Sequence, residues 1–333
     1  MSRDLGLRRL RGLDRSVLLA ASVTVLSLTA SGCVVVHGER EVRPATTQDE
    51  AAKALQDFTT AYNKADKAFD GSLDAEYTTG ALADIDAARL KAGRANNPDG
   101  NPQHTPLRLS DARFTIPKKA GWPRWFVADA AGNKGGDNRW LLVFTRDGVD
   151  DTWEAAYLTL VAPDAVPEFK TDADGWAEAV PANSTDLAVP PGELGRQYTT
   201  YLKDGGDAFA EGPHTSGWRS VRTKQAARPG LATQYIDEPV TNGDYAPLAL
   251  RTRDGGALVF FTTRHFEKQT AAAGTSVPTP NKNVLALTTG DIGQSLTMEF
   301  LSNGAALTPA GDAAEATVRV LGRTQGLTSA KGE

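Results

Sequence analysis

The sequence is poor in the residues that staple or metallate small proteins. Its 333 residues include one cysteine, four histidines and two methionines. A single Cys excludes an intramolecular disulfide and a Cys-based zinc cage, and four scattered His leave little for a histidine-rich metal site. There is no Gly-x-Ser-x-Gly elbow, no His-Glu-x-x-His pair and no Walker-type loop, so nothing implies a metal or a cofactor. No basic patch or arginine run stands out, so nucleic-acid binding has no electrostatic support. The 36 Lys+Arg against 41 Asp+Glu give a net charge of −5. What is present is an ordinary globular composition, 40% hydrophobic and 23% charged, long enough for two domains of roughly 150 residues.

The N-terminus reads as an address. Arg3, Arg8, Arg9, Arg11 and Arg15 precede the uncharged apolar stretch 16–30, which is shorter than the roughly 20 residues that span a bilayer as a helix. Small residues Ala30, Ser31 and Gly32 follow, and then Cys33. A basic start, a short apolar run and small residues describe an export signal. The segment Leu28-Thr29-Ala30-Ser31-Gly32-Cys33 resembles a bacterial lipobox, departing from it at Ala30, where Leu is preferred. The resemblance implies a diacylglyceryl thioether on Cys33. It also implies a peptidase that reads Ala30, Ser31 and Gly32 and cuts before Cys33. Two acyl chains suffice for stable anchoring, which places the protein on the extracytoplasmic face of the membrane. Arg8-Arg9 raises twin-arginine export, but Leu7 and Leu10 match that motif poorly, so the route stays open. Residues 1–32 hold five Arg and two Asp, and their removal leaves a chain of about −8.

Beyond this signal (1–32) and a short tether (33–46), the pattern divides into halves at 47–183 and 193–327, with a Pro-punctuated linker at 184–192 and a tail at 328–333. Thr47 and Glu50 fit a capping box. Leu55, Phe58, Tyr62, Ala65 and Phe69 then recur at helical spacing, and a second helix with Leu82, Ile85 and Ala88 stops around Gly93. Strands are expected at 108–116, 125–129, 139–146 and 153–161, the apolar run Trp140–Phe144 marking a central one. Pro190-Pro191-Gly192 opens a helix that contains Gly205-Gly206, a potential break. Strands at 240–253, 256–267, 283–289, 291–302 and 315–323 would complete the second half.

Phe58-Thr59-Thr60 with Phe69 is echoed by Tyr198-Thr199-Thr200 with Phe209, and Leu141–Arg146 by Leu258–Arg264. The preserved order reads as a diverged tandem duplication of an α+β unit. Such a unit is similar to the NTF2-like (cystatin-like) architecture, helices packed on a curved antiparallel sheet. More narrowly, Trp122–Ala128, the strand Trp140–Phe144 and the Phe-Thr-x-Ala/Tyr helix resemble a family of actinobacterial lipoproteins with a domain of unknown function, over roughly residues 47–327.

Candidate chemistry is sparse. The NTF2-like resemblance implies that an active site would use Asp, Tyr or His between helix and sheet. Tyr62, Asp66 and Tyr157 are the candidates in the first half, and Tyr201, Tyr235 and Asp237 in the second. His265 and Glu267 fall on one face of a strand and form a possible acid–base pair or an exposed charged face. His104 and His214 read as loop residues, and His37 falls in the tether. Five of the six Trp lie in the first half and either fill a core or line a ligand cleft. Trp125, Trp140, Tyr157, Tyr235 and His265 are the candidate ligand-binding residues. The expected function is a membrane-anchored, non-enzymatic binding or scaffold protein of the envelope, taking a protein or small ligand. The alternatives are an NTF2-like isomerase- or hydrolase-like enzyme and a carrier of a small apolar molecule. Replacing Cys33 by Ala should move the protein from the membrane fraction to the medium or leave an uncleaved precursor. A mature-sized band that stays in the membrane fraction on fractionation and immunoblotting would refute lipidation at Cys33.

Overall fold

The computed structural model describes residues 41–333. The signal segment, Cys33, His37 and most of the expected tether lie outside the described residues. Among the described residues no helix is long and apolar enough to cross a membrane.

The chain enters the fold earlier than expected, through β1 (Arg43–Pro44), with Ala45 and Thr46 buried. Thr47 caps α1 (Gln48–Ala68), its hydroxyl accepting from the Glu50 N–H at 3.1 Å. The other half of the capping box does not form. The Glu50 carboxylate instead accepts from Thr46 Oγ1 at 2.6 Å, Arg146 Nη1 at 2.9 Å and Trp153 Nε1 at 3.1 Å, tying the helix start to distant strands. The second helix, α2 (Gly80–Asn96), runs past Gly93.

The four strands expected in the first half are all present. β2 (Leu109–Thr115), β4 (Arg124–Gly132), β5 (Arg139–Arg146) and β6 (Glu154–Val161) form an antiparallel meander in that order. Short strand β3 (Pro117–Lys119) pairs with β1 on one side and with β7 (Ala177–Glu178) on the other. β5 is buried on both faces from Trp140 to Phe144, as its unbroken apolar run demands.

In the second half, α3 (Pro191–Asp204) starts with Pro at its first position. Gly205 lies just past its end at φ +81°, so the glycine pair terminates the helix and does not interrupt it. A further helix, α4 (Ser216–Ala226), leads into β8 (Ala227–Arg228) and β9 (Leu231–Val240). The strand expected at 240–253 is a different object. β9 and β10 (Leu248–Arg251) run in the same direction along one side of β11 (Ala257–Ala271), so they form one rung interrupted by residues 241–247. The expected strand 283–289 is largely helix α5 (Lys282–Leu287), because the Asn281 side chain accepts from the Asn283 and Val284 N–H groups and caps a turn there. β12 (Thr288–Thr289), β13 (Ser295–Thr308) and β14 (Arg319–Gly332) follow. The expected tail 328–333 is the end of β14, paired with β13 and β12.

Side-chain alternation stacks these elements into four layers. On one face of the first sheet, Phe126, Leu142 and Phe144 pack under Ala51, Leu55 and Phe58 of α1. On its other face, Trp125, Val127, Leu141, Val143 and Tyr157 pack against Leu250, Leu258, Phe260 and Ala305 of the second sheet. The far face of that sheet, with Val259, Phe261 and Ala306, packs under Leu194, Tyr198, Tyr201 and Leu202 of α3. The linker also packs: Leu187 bridges to Ala310 and the Ala188 N–H donates to the Pro309 carbonyl. Val42–Glu333 therefore form one compact unit, and the halves expected at 47–183 and 193–327 meet through a shared apolar layer.

Residues 241–247 cross back to the first half. Tyr245 Oη donates to Asp84 Oδ2 at 2.6 Å and Thr79 Oγ1 donates to Asp244 Oδ2 at 3.0 Å. Tyr157 Oη lies 3.0 and 2.9 Å from the carbonyls of Tyr245 and Ala246. The approach requires Gly80, whose φ is +56° and whose absent Cβ would sit 2.5 Å from the Asp244 carbonyl oxygen.

Removing the fully buried Phe260 ring from the shared layer should cost about 3–5 kcal/mol. In a urea titration Phe260→Ala should shift one transition, with tryptophan fluorescence and far-UV circular dichroism coinciding. Since five of the six Trp lie in the first half, separate transitions by the two probes would refute the shared core.

Candidate functional site

The residues singled out from sequence do not converge on one place. Trp140 belongs to the α1-side core, with Nε1 donating to the Lys134 carbonyl at 2.9 Å. Trp125 and Tyr157 lie on the opposite face of the same sheet, between the two sheets. All three are buried, and their surroundings account for them as packing residues. Tyr235, Asp237 and His265 do come together. Register places His265 opposite Asp237, and Glu267 opposite Tyr235, across β9 and β11. Tyr201 packs nearby in the α3 core, against Phe209.

Over these strands lies a row of alternating rings and cations. The Arg222 guanidinium sits 4.9 Å from the ring centroids of both Tyr235 and Trp218, and Arg323 lies 4.2 Å from that of Trp218. Cation–ring contacts of this kind gain strength when desolvated. Asp237 holds Arg222 through two bonds of 2.7 and 2.9 Å, a fork geometry that only Arg supplies. The pair is buried, Arg222 being 5% exposed.

Beneath this row the His265 ring stacks on Phe300 at 4.8 Å and 5° and meets the edge of Trp218 at 6.2 Å. Its Nε2 lies 3.5 Å from Glu267 Oε1, at the limit of a hydrogen bond. His265 is 2% exposed. Burial pulls its pKa below the ordinary histidine value, and the fields of Arg222 and Arg323 act in the same sense against Glu267. His265 is thus a neutral, enclosed imidazole and not part of an exposed charged face. Trp218 Nε1, Arg222 Nε, His265 Nε2, Ser302 Oγ and Arg323 Nε are buried without a well-formed hydrogen bond among the described residues. Arg323 too has its pKa lowered by burial.

Beside this row a cleft of about 630 Å³ opens between α3, α4 and β9, within the size range of small-molecule sites. Lys203 of α3, Arg219, Arg222 and Thr223 of α4, and Tyr235 and Asp237 of β9 contribute to its walls. Leu202, Ala226 and Ile236 add apolar surface. Among the described residues, Arg222 is the one cation of the three whose charge a carboxylate meets. Arg219 is held in place by other means: its Nε donates to the Leu202 carbonyl at 3.3 Å and its guanidinium lies 5.4 Å from the Tyr201 ring centroid. Gly205 makes room for it, since a Cβ there would stand 2.7 Å from Arg219 Nη1. A second cleft of about 520 Å³ beside β2 and β4 also contains arginines. There Arg139 is met by Asp129 and Asp111, and Arg253 by Glu168.

Lys203, Trp218, Arg219, Arg222 and Arg323 were not anticipated. The signal was in the sequence: residues 216–228 contain Arg219, Arg222, Lys224 and Arg228 and no acid. Trp218 and Arg222 stand one helical turn apart.

The first half holds a further polar cluster, around Asp66. Asp66 accepts from Arg89 Nη1 at 2.6 Å and from Asn101 Nδ2 at 3.2 Å, and lies 2.8 Å from His104 Nδ1. His104 is therefore bonded and largely buried, not a solvated loop residue. Tyr62 packs against Arg89, 5.4 Å from its ring centroid. Burial, reinforced by the neighbouring Asp86, pushes the Asp74 carboxyl up to about 8. His214 lends its carbonyl to Tyr198 Oη at 2.5 Å, and burial lowers its pKa. The lipidation candidates Ala30, Ser31, Gly32 and Cys33 lie outside the described residues.

A family model described as a domain of unknown function (DUF8094) matches residues 42–332. Over its whole length the chain is similar to an uncharacterized lipoprotein of Streptomyces coelicolor, at 74% identity over 333 residues and 100% of both chains. It is likewise similar to an uncharacterized lipoprotein of Streptomyces avermitilis, at 60% identity over 333 residues and 100% of both chains. Another uncharacterized lipoprotein of Streptomyces coelicolor is 27% identical over 351 residues, covering 97% of this chain and 96% of that one. No solved structure matches the chain.

The Asp74 carboxyl supplies a pH test. An unfolded Asp ionises near 3.9, whereas folded Asp74 keeps its proton to about 8. The stability contributed by the neutral acid is complete below about pH 4 and is lost as pH rises through about 8. Asp74→Asn should therefore gain stability over the wild type progressively between pH 5 and 8.5 in urea titrations. A difference independent of pH would refute the raised pKa.

Proposed function

The chain belongs to the Streptomyces lipoprotein family built on the domain of unknown function DUF8094, and from that premise we propose that it is a lipid-anchored binding protein of the cell envelope. In this reading Cys33 carries the lipid on the extracytoplasmic face. The folded unit presents the cleft between α3, α4 and β9 to a small ligand. One observation carries the reading: the cleft of about 630 Å³ combines apolar walls with the cations Lys203 and Arg219, which no carboxylate meets among the described residues, the mixture typical of ligand sites.

Binding without catalysis is supported by the state of the one candidate acid–base pair. His265 is walled by Trp218 and Phe300 and is 2% exposed, so a substrate in the cleft does not reach its ring. A general base must lie within hydrogen-bond reach of the proton that it takes. A carrier role for a wholly apolar molecule is disfavoured by the cations of the cleft.

We also propose that the two halves derive from one NTF2-like unit. In support, each half has two helices followed by a four-rung antiparallel meander: β2-β4-β5-β6, and β9/β10-β11-β13-β14. Against it, the echoed strand motifs fall on the third rung in the first half and the second rung in the other.

Native mass spectrometry of the full chain, extracted in mild detergent, tests the binding reading. A small-molecule adduct is expected on the wild type, and Thr223→Trp, which fills the cleft from an exposed helix position, should remove it with a melting temperature unchanged within about 2 °C. No adduct on the wild type, or an undiminished adduct on the variant, would overturn the assignment of the cleft.

A further inference from the structure

We infer that the ligand of the α3–α4–β9 cleft carries an oxyanion, carboxylate or phosphate, on an apolar body; this rests on reading the cleft as a ligand site. Three observations lead there. The cleft sets Lys203, Arg219 and Arg222 against the single carboxylate of Asp237, a local charge of +2 in a chain whose total is −5. A cationic recess in an acidic protein concentrates anions by its field.

Next, the cations have different standing. Arg222 is spent on Asp237, which accepts both of its terminal nitrogens. The pair forms a rigid wall and leaves Lys203 and Arg219 to meet the ligand. Arg219 is held in advance by the Leu202 carbonyl, the Tyr201 ring and the space that Gly205 leaves open. Its Nε is used, but both terminal nitrogens stay available for a forked bond to an oxyanion. Little side-chain entropy is then lost on binding.

Finally, the remaining wall is uncharged, its polar groups being hydroxyls and the Gln234 amide. Leu202, Ala226 and Ile236 line the cleft, and Ile236 is 46% exposed. These side chains fit a hydrocarbon or aromatic body and leave a second charged group on the ligand without a partner. A free inorganic ion would leave them uncovered.

Calorimetric titration of the full chain in mild detergent with four matched probes tests this: 1-naphthyl phosphate, 2-naphthoate, 2-naphthamide and 2-naphthylmethylamine. One or both anions should bind at least tenfold more tightly than the amide, and less tightly as salt is raised. The preferred anion then distinguishes phosphate from carboxylate. Lys203→Gln combined with Arg219→Gln should weaken the anion at least tenfold and leave the amide unchanged, with an unaltered melting temperature. Equal binding of anion and amide, preference for the amine, or an anion affinity untouched by the double variant would overturn the anion inference and leave the cleft assignment standing. Failure of all four probes to bind would overturn both.

Discussion

The constraint on which the rest of the structure depends is the apolar layer between the two sheets. Trp125, Val127, Leu141, Val143 and Tyr157 on one side meet Leu250, Leu258 and Phe260 on the other. Once each sheet buries one face against the other, each has a single outer face left for helices. The result is helix, sheet, sheet, helix. A chain without disulfides among its described residues draws its cohesion from this burial, at roughly 25 cal/mol per Å² of apolar surface. The Tyr157 hydroxyl shows how the layer is closed at its rim. It reaches the carbonyls of residues 245 and 246, where β9 and β10 part, so the interruption of one strand becomes a clasp between the halves.

The outer faces then diverge. On the first sheet, α1 runs 21 residues and sets Ala51, Leu55 and Phe58 on Phe126, Leu142 and Phe144. Asp66, Asp74, Asp86, Arg89 and His104 of that half gather in one polar cluster. On the second sheet, α3 runs 14 residues and ends at Gly205. The surface that a longer helix would cover is left to α4, which is short and basic. The cleft is the space between these two helices and the edge of β9. It exists because α3 stops where it does, and it is cationic because α4 carries the arginines.

Burying Arg222 and Arg323 beside Trp218 is not the most stable way to fill that space. A buried ion pair commonly contributes less than apolar residues of the same volume, and Arg323 Nε, Trp218 Nε1 and His265 Nε2 find no well-formed hydrogen bond among the described residues. Local departures from good packing concentrate where a protein acts. The same row aligns Arg222 and Tyr235 on the cleft wall, so its cost in stability accompanies a fixed, charged surface at the α3–α4–β9 cleft.

Much of this was legible along the chain. Thr47, the run Trp140–Phe144 and Pro191 each carry their local physics with them: a hydroxyl that caps, a strand with no polar face, a ring that suits a first turn. Residues 283–289 misled because a short apolar run has no period of its own, and the capping side chain of Asn281 decided for helix. The strand pattern at 240–253 could not show that the chain leaves the sheet at 241–247, since that excursion is held by Asp84, Thr79 and Tyr157, more than 80 residues away. The sequence by itself determined the resemblance to the family and local elements such as the cap at Thr47, the strand Trp140–Phe144 and the helix start at Pro191, because motifs, caps and periodicity act over a few residues. Only the tertiary structure decided that the halves share a core, that Trp125 and Trp140 fill it on opposite faces of one sheet, and that Tyr235, Asp237 and His265 meet Arg222. Those outcomes depend on register and layer stacking, which bring together residues with no local signal to mark them.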